Sequence, residues 1–274
     1  MLSLEDADKL LRWRKARVVT VVGERNGGKT TLVAQLYEQF LRGPFAQMLF
    51  TQSWSLQGFE RKSFQSRAEF GAAHPDTPRT SAQDGLGFFH IAVSDESNLE
   101  RTDLLISERA GEVYREVRDR PERATALVEL RKAGVVALIL DGDRVAKPRM
   151  RAGVFASVRN IARALLDSGG LHPQATIQLV TTKVDLFTGE GAAATLEALT
   201  EFEANLGALL NNRFELTTFR IAARDPSGNV AAGSGMDELL RSWIAPPSSA
   251  YLEEPVLPKL VSEFDLFLTR GRNE

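Results

Sequence analysis

Apolar residues fall along this chain in two rhythms. Short runs rich in β-branched and other apolar residues, at Val18 to Val22, Val135 to Leu140 and Ala175 to Val180, have the composition of strands buried on both faces. Strand patterns also fit Leu86 to Val93, Leu104 to Ile106 and Leu216 to Ala222. Between them, apolar positions recur at helical spacing: Leu32, Val33, Leu36 and Phe40, then Val154, Phe155, Val158, Ile161, Ala162, Leu165 and Leu166. Gly43-Pro44 stops the first of these helices and Gly169-Gly170 closes the second. Further helices are predicted over residues 122–132, with Pro121 near the first position, over about 192–210, and over 236–243. A Leu4, Ala7, Leu10, Leu11 stripe behind Ser3 predicts a capped N-terminal helix, with Trp13 as its anchor. Strands alternating with helices in this order predict an α/β fold of three layers, a mostly parallel sheet of about six strands with helices on both faces.

Two stretches resist that rhythm. Residues 45–85 hold one candidate strand at Ala46 to Thr51, then Trp54, Phe59, Phe64 and Phe70 scattered among polar residues. A segment that long inside a domain carries structure of its own or a function. Residues 1–245 read as one domain. From residue 246 the chain turns into a Pro- and Ser-rich linker, followed by Leu257, Leu260, Val261, Phe264, Phe267 and Leu268 at helical spacing. That amphipathic helix either packs back on its own domain or docks on a partner.

The chemistry concentrates where the first strand ends. Gly23-Glu24-Arg25-Asn26-Gly27-Gly28-Lys29-Thr30 is GxxxxGK[ST] between a buried strand and a helix, the context of a phosphate-binding loop. Glycines there let successive N–H groups converge at a helix N-terminus, which favours an anion. Gly23, Asn26, Gly27, Gly28, Lys29, Thr30 and Thr31 are therefore the candidate triphosphate contacts, with Lys29 on the β- and γ-phosphates and the Thr30 hydroxyl on Mg²⁺. A three-layer P-loop NTPase sheet is the expected fold.

Composition changes the picture by exclusion. The 274 residues are 43% hydrophobic and 26% charged, as in globular proteins, and a net charge of −2 gives no general attraction to nucleic acid or an anionic membrane. With no cysteine there is no disulfide framework, thiol nucleophile or Cys-based zinc site, and three scattered histidines do not form a metal site. The acidic amphipathic N-terminus is not a signal peptide, and no uncharged apolar run approaches membrane-spanning length. A cytoplasmic location is expected.

Two further elements follow buried strands. Asp141, at the end of Val135 to Leu140, fits the Walker B carboxylate of a P-loop ATPase. Thr182-Lys183-Val184-Asp185 resembles the [NT]KxD element of Ras-like GTPases, in which Thr is an accepted variant of Asn. That resemblance extends over most of residues 18–244. It implies that Asp185 accepts from guanine N1–H and the 2-amino group, that the Lys183 stem lies over the base, and that Ala223, in Ala222-Ala223-Arg224, meets the guanine O6. The family's DxxG element matches Glu108-Arg109-Ala110-Gly111, with Glu108 in place of the Asp that holds Mg²⁺ through water and Gly111 as the γ-phosphate sensor. Glu112 stands where many members carry the Gln that orients the attacking water. The first-switch Mg²⁺ ligand is sought at Thr77 or Thr80, with Thr80 preferred. The combination of SWSLQGFE, a PRT element, an AGE switch and TKxD further resembles the GTPase-like domains of bacterial double-GTPase, conflict-system-associated proteins.

The resemblance implies a GTP-binding switch that takes GTP, GDP and Mg²⁺, hydrolyses GTP slowly and acts through an effector or activating protein, as a homo- or hetero-oligomer or alone. Two other readings stay open at this point: an ATPase using Asp141, and a nucleotide-bound interaction module that does not hydrolyse.

Overall fold

The computed structural model describes residues 1–68, 85–210, 213–224, 230–231 and 233–246. Its strands are β1 (Ala16–Val22), β2 (Met48–Gln52), β3 (Gly87–Asp95), β4 (Arg101–Glu108), β5 (Ala133–Asp141), β6 (Thr176–Thr182) and β7 (Leu216–Arg220). They form one seven-stranded sheet in the order β2-β3-β4-β1-β5-β6-β7. The β4–β1–β5–β6–β7 pairings are parallel, whereas β3 pairs antiparallel with both β4 and β2, so β3 alone runs against the rest. The predicted mostly parallel α/β sheet is present, with seven strands rather than about six. The seventh is the candidate within 45–85, β2, which adds to the sheet edge.

Burial explains the runs that the sequence displays. In β5, Val135, Ala137 and Ile139 enter one hydrophobic layer, while Val136, Leu138 and Leu140 enter the other. A strand covered on both faces has no position for a polar residue, hence its unbroken apolar run. The helices α2 (Lys29–Arg42), α3 (Leu56–Ala68) and α8 (Met236–Ile244) cover one face through Leu36, Phe40, Phe59 and Trp243. The other face is covered by α4 (Gly111–Asp119), α6 (Pro148–Asp167) and α7 (Ala192–Leu210) through Tyr114, Val158 and Phe202. A short helix, α5 (Gly142–Ala146), follows β5 directly and was not legible in the sequence. Among the described residues, no helix is long and apolar enough to cross a membrane.

The N-terminal helix α1 (Leu4–Trp13) is capped by Ser3 and Asp6 in a reciprocal capping box. It buries Ala7 and Leu10 against Val18, Phe88 and Leu105. Trp13, expected to anchor it, is 84% exposed, because the last residue of the helix lies beyond the face that Ala7 and Leu10 define. The helix expected over 122–132 is instead two 3-10 turns, Pro121–Ala126 and Val128–Lys132, broken at Leu127, whose φ of −83° and ψ of 77° are not helical. The proposed C-terminal helix, beyond residue 246, lies outside the described residues.

The segment 45–85 supplies β2 and then α3, which the scattered aromatics had not revealed as a helix. Phe59 explains its docking: fully buried, its ring lies 5.0 Å from Tyr37 and 4.6 Å from Phe89. The Ser63 hydroxyl donates to Glu38 at 2.5 Å, and the Tyr37 hydroxyl donates to Glu60. At the corner between β2 and α3, the Trp54 N–H donates to His90 Nδ1 at 3.0 Å. A ring nitrogen that accepts from an N–H carries no proton, so His90 is the Nε2–H tautomer and donates to Asp103 at 2.9 Å. Burial holds His90 below the ordinary histidine range against the opposing pull of Asp103. Burial also works to raise Asp103, but bonds from Arg101 and His90 outweigh it and hold the carboxyl below the usual range.

Two outcomes are expected. Phe59→Ala removes the ring that fixes α3 and lowers unfolding free energy by about 3 kcal/mol, read from urea denaturation; a loss below about 1 kcal/mol would show that α3 contributes little. For His90, the folded pKa lies below the unfolded value of about 6.5, so its contribution is intact above that pH and is lost as pH falls below it. Stability measured at pH 8 and at pH 5.5 should therefore decline on acidification, and the decline should shrink in His90→Gln.

Candidate functional site

The carboxyl ends of β1, β4, β5 and β6 lie side by side, and the loops that leave them meet. In β-sheets of this kind a ligand crevice forms where the chain reverses its strand order, which here is at β1, between β4 and β5. Residues 23–28 leave β1 and enter α2. Gly28 has φ of 91°, a left-handed conformation that glycine adopts without strain, and it caps the helix with no side-chain bond. Thr30 and Thr31 fall in the first turn of that helix.

Lys29 is only 8% exposed, and its ammonium donates to the carbonyls of Gly23 at 2.8 Å and Glu24 at 3.0 Å. The ring of Tyr114, on α4, lies 5.8 Å from that nitrogen. Desolvation pushes the Lys29 pKa down, while the carboxylates of Glu108, Glu112 and Glu24 work to raise it. Thr30 donates its hydroxyl to Glu108 at 2.6 Å. Glu108 is the last residue of β4 and is buried, so the two residues predicted to serve a divalent cation meet, although they are far apart in sequence. The fit to Mg²⁺ is good: that ion binds one or two protein oxygens, keeps several waters and shares substrate phosphates, and Thr30 with Glu108 provides such a partial set. Among the described residues, no group of three or more His, Cys, Asp or Glu would hold a metal unaided.

Gly111 opens α4 hard against the loop. A Cβ there would come within 2.4 Å of the Arg25 nitrogen and 2.7 Å of the Glu24 carbonyl carbon, so only glycine allows this approach. Next to it, Glu112 lies 3.9 Å from the Arg25 guanidinium. Glu24 receives Arg118 from α4 at 2.5 Å and Arg144 from α5 at 3.3 Å. Arg109 donates two bonds, 2.7 and 2.8 Å, to the buried Glu129. Burial pushes the Tyr114 phenol up, which keeps it neutral beneath Lys29.

On the β6 side, Thr182 donates its hydroxyl to the Gly27 carbonyl at 2.9 Å. Lys183, in the left-handed region at φ of 55°, donates to the Asn26 carbonyl at 2.8 Å and to Asp141 at 2.9 Å. Asp185 is buried in the 3-10 turn that follows. The Val184 N–H bonds the Ile221 carbonyl at 3.3 Å, which joins this turn to the chain carrying the half-buried Ala223. Asp141, considered as a Walker B carboxylate, is occupied by Lys183 and by the Asp143 N–H, while Thr30 is bonded to Glu108 instead. Thr77 and Thr80 lie outside the described residues.

The structure thus brings Gly23, Asn26, Gly27, Gly28, Lys29, Thr30, Glu108, Gly111, Glu112, Thr182 and Lys183 around one loop. Sequence reasoning missed Glu24, Arg25, Tyr114, Arg118 and Arg144. Arg118 and Arg144 lie 94 and 120 residues from the Glu24 they hold, and no spacing signals such a pair. Arg25 was legible only as one of the unspecified positions of the loop.

Among curated proteins none matches this sequence. Among solved structures, the chain is similar to the signal recognition particle receptor SRb–GTP/SRX complex from Chaetomium thermophilum, with a TM-score of 0.47, 14% identity, and coverage of 84% of this chain and 96% of that one. It is also similar to translation elongation factor SelB from Methanococcus maripaludis in complex with the GTP analogue GppNHp, at 0.42 and 14%, covering 85% of this chain and 34% of that one. A third likeness is to the S. cerevisiae Ski7 GTPase-like domain bound to GTP, at 0.45 and 11%, covering 85% and 51%. The chain therefore spans about a third of the length of SelB and about half of the Ski7 chain. Residues 17–244 match the Double-GTPase 2 family along their whole length, which takes in the phosphate loop, the Glu108 to Glu112 element and the Thr182 to Asp185 turn, and on that match the chain belongs to the Double-GTPase 2 family.

Proposed function

We propose that this chain is a GTP-binding switch whose hydrolysis is slow and dependent on Mg²⁺, and that a partner protein supplies speed and reads the nucleotide state. The observation that carries the reading is the bonding of the base element to the phosphate loop: Thr182 to the Gly27 carbonyl and Lys183 to the Asn26 carbonyl. The two ends of a nucleotide are then served by one rigid unit. Asp185, buried in the turn after Lys183, is the carboxylate assigned to the guanine donors, and Ala223 is assigned to the O6 side. A site built around that acceptor disfavours adenine, which lacks the matching donor pair.

Lys29 and the loop amides hold the phosphates, while Thr30 and Glu108 hold Mg²⁺, joined by Thr80 from the first switch. When bound, Mg²⁺ neutralises charge on the β- and γ-phosphates. Phosphoryl transfer of this kind is positioning and electrostatic stabilisation, so the chain's own work is to orient the phosphates and exclude competing water. Gly111 senses the γ-phosphate through its N–H, and Glu112 orients the attacking water. A carboxylate in that position beside a highly charged phosphate is a poor orienter, which supports slow turnover. Residues 1–245 are the nucleotide-binding domain in this reading, and residues 246–274 are a linker and helix available to a partner.

Fluorescent GTP and ATP analogues titrated into the purified chain test the reading. Lys29→Ala should weaken triphosphate binding by about a hundredfold or more, since it deletes a charge-assisted contact to two phosphates. Unchanged affinity would sink the assignment. Asp185→Asn should reduce the guanine-over-adenine preference by on the order of a hundredfold while leaving the fold intact. In Glu108→Ala, chelation of Mg²⁺ should cost less affinity than it costs the parent chain, because part of the cation site is already gone.

A further inference from the structure

Among the described residues, Arg109, Arg118, Arg144, Lys183 and Arg25 stand around the phosphate loop and the turns that meet it, and the first four are committed. Arg109 is bidentate to buried Glu129. Arg118 and Arg144 share Glu24, and Arg118 also donates to Asp119 at 2.8 Å. Lys183 is divided between the Asn26 carbonyl and Asp141. Arg25 differs. It lies within the loop itself, its side chain is 46% exposed, and it faces Glu112, itself 45% exposed, at 3.9 Å. A half-exposed pair at that separation is screened by solvent and contributes little to stability, so it is released at small cost.

Its position is nonetheless fixed. The Arg25 backbone is pressed against Gly111, so Arg25, Gly111 and Glu112 form one contact between the loop and the first turn of α4. The Glu24 carboxylate is paired with two arginines, and Glu108 accepts from the Thr30 hydroxyl and faces the Lys29 charge, whereas the ion-pair partner of Glu112 is Arg25. A terminal phosphate arriving at Gly111 would meet the Glu112 carboxylate and be repelled by it. Among the described residues, the cation paired with that carboxylate, and loosely enough to turn and compensate, is Arg25.

We infer that Arg25 is a γ-phosphate ligand that sets the preference for triphosphate over diphosphate, and that Glu112 competes with the phosphate for it. This rests on the guanine-nucleotide reading above. Arg25 gives its guanidinium to the terminal phosphate when three phosphates are present, and keeps Glu112 as partner when only two are. Lys29 keeps its β-phosphate contact in both nucleotides, and Arg25 adds to the discrimination that Lys29 and the Gly111 N–H make at the γ-phosphate.

The test is a titration of a non-hydrolysable fluorescent GTP analogue and of the matching GDP analogue, with Mg²⁺, into the parent chain, Arg25→Ala, Arg25→Lys, Glu112→Gln and the Arg25→Ala/Glu112→Gln double variant. Arg25→Ala should weaken the triphosphate analogue by about ten- to a hundredfold and the diphosphate analogue by less than about twofold, with Arg25→Lys recovering part of the loss. Glu112→Gln should tighten the triphosphate analogue about threefold, and that gain should vanish in the double variant, as coupling through a shared partner requires. Equal losses for both nucleotides in Arg25→Ala, or an unchanged ratio, would overturn the inference while leaving the guanine-nucleotide reading in place. A Glu112→Gln gain that persists without Arg25 would also overturn it. A parent chain that binds neither analogue would remove the reading and the inference together.

Discussion

A buried ammonium is the constraint around which the rest of this site is arranged. Lys29 sits almost out of solvent at the start of α2, with two backbone carbonyls as its hydrogen-bond acceptors and an aromatic ring beside it. Carbonyl dipoles take two of its three donors but do not cancel its charge, and desolvation depresses its pKa accordingly. Three carboxylates nearby act in the opposite direction, and none forms an ion pair with it within the described residues. The fold therefore keeps a desolvated positive charge next to a set of helix N-terminal amides. Both favour the same thing, an anion, and each makes the other more selective for a polyanion.

That arrangement requires a scaffold stiff enough to hold an unfavourable charge. Here the scaffold is the parallel centre of the sheet, where β1 and β5 are buried on both faces and leave their C-terminal loops nowhere to relax. Each loop is then fastened to the next by a side chain. Thr182 and Lys183 tie the β6 turn to the phosphate loop, Thr30 and Glu108 tie the β4 end to α2, and Glu24 ties the loop to α4 and α5. Lys183 is the costliest of these residues in backbone terms, because a side chain in the left-handed region is strained. Its two hydrogen bonds to Asn26 and Asp141 are what hold it there.

The sequence was most readable where one physical requirement dominates a local stretch. The phosphate loop is such a place, since spacing, glycines and the flanking elements all serve one anion. The same holds for β5, whose unbroken apolar run follows from burial on both faces. It was least readable where long-range contacts decide. Helix α3 has only a weak apolar face and is docked by Phe59 and by polar bonds from α2, so periodicity alone did not reveal it. The stretch 122–132 has helical composition, yet Leu127 breaks it into two tighter turns. Trp13 looked like an anchor by residue type, but it falls on the exposed side of α1. Within the site, the residues named from motifs came together around the loop, while the arginines that organise Glu24 were invisible because their partner is about a hundred residues away.

Those arginines also explain how one helix can be both fixed and adjustable. The body of α4 is held by Arg118 on Glu24, a short charge-assisted bond in a partly buried setting, and by Tyr114 and Val117 in the hydrophobic layer. Its first turn is held differently, by the steric seat of Gly111 on the loop and by the exposed pair between Arg25 and Glu112. Contacts of the first kind cost much to break and those of the second kind little. Coupling between two sites can be no larger than the difference in free energy that a ligand makes between two arrangements. In this fold the two kinds of contact meet at the first turn of α4, where the loop backbone, a screened ion pair and the end of a buried strand come together.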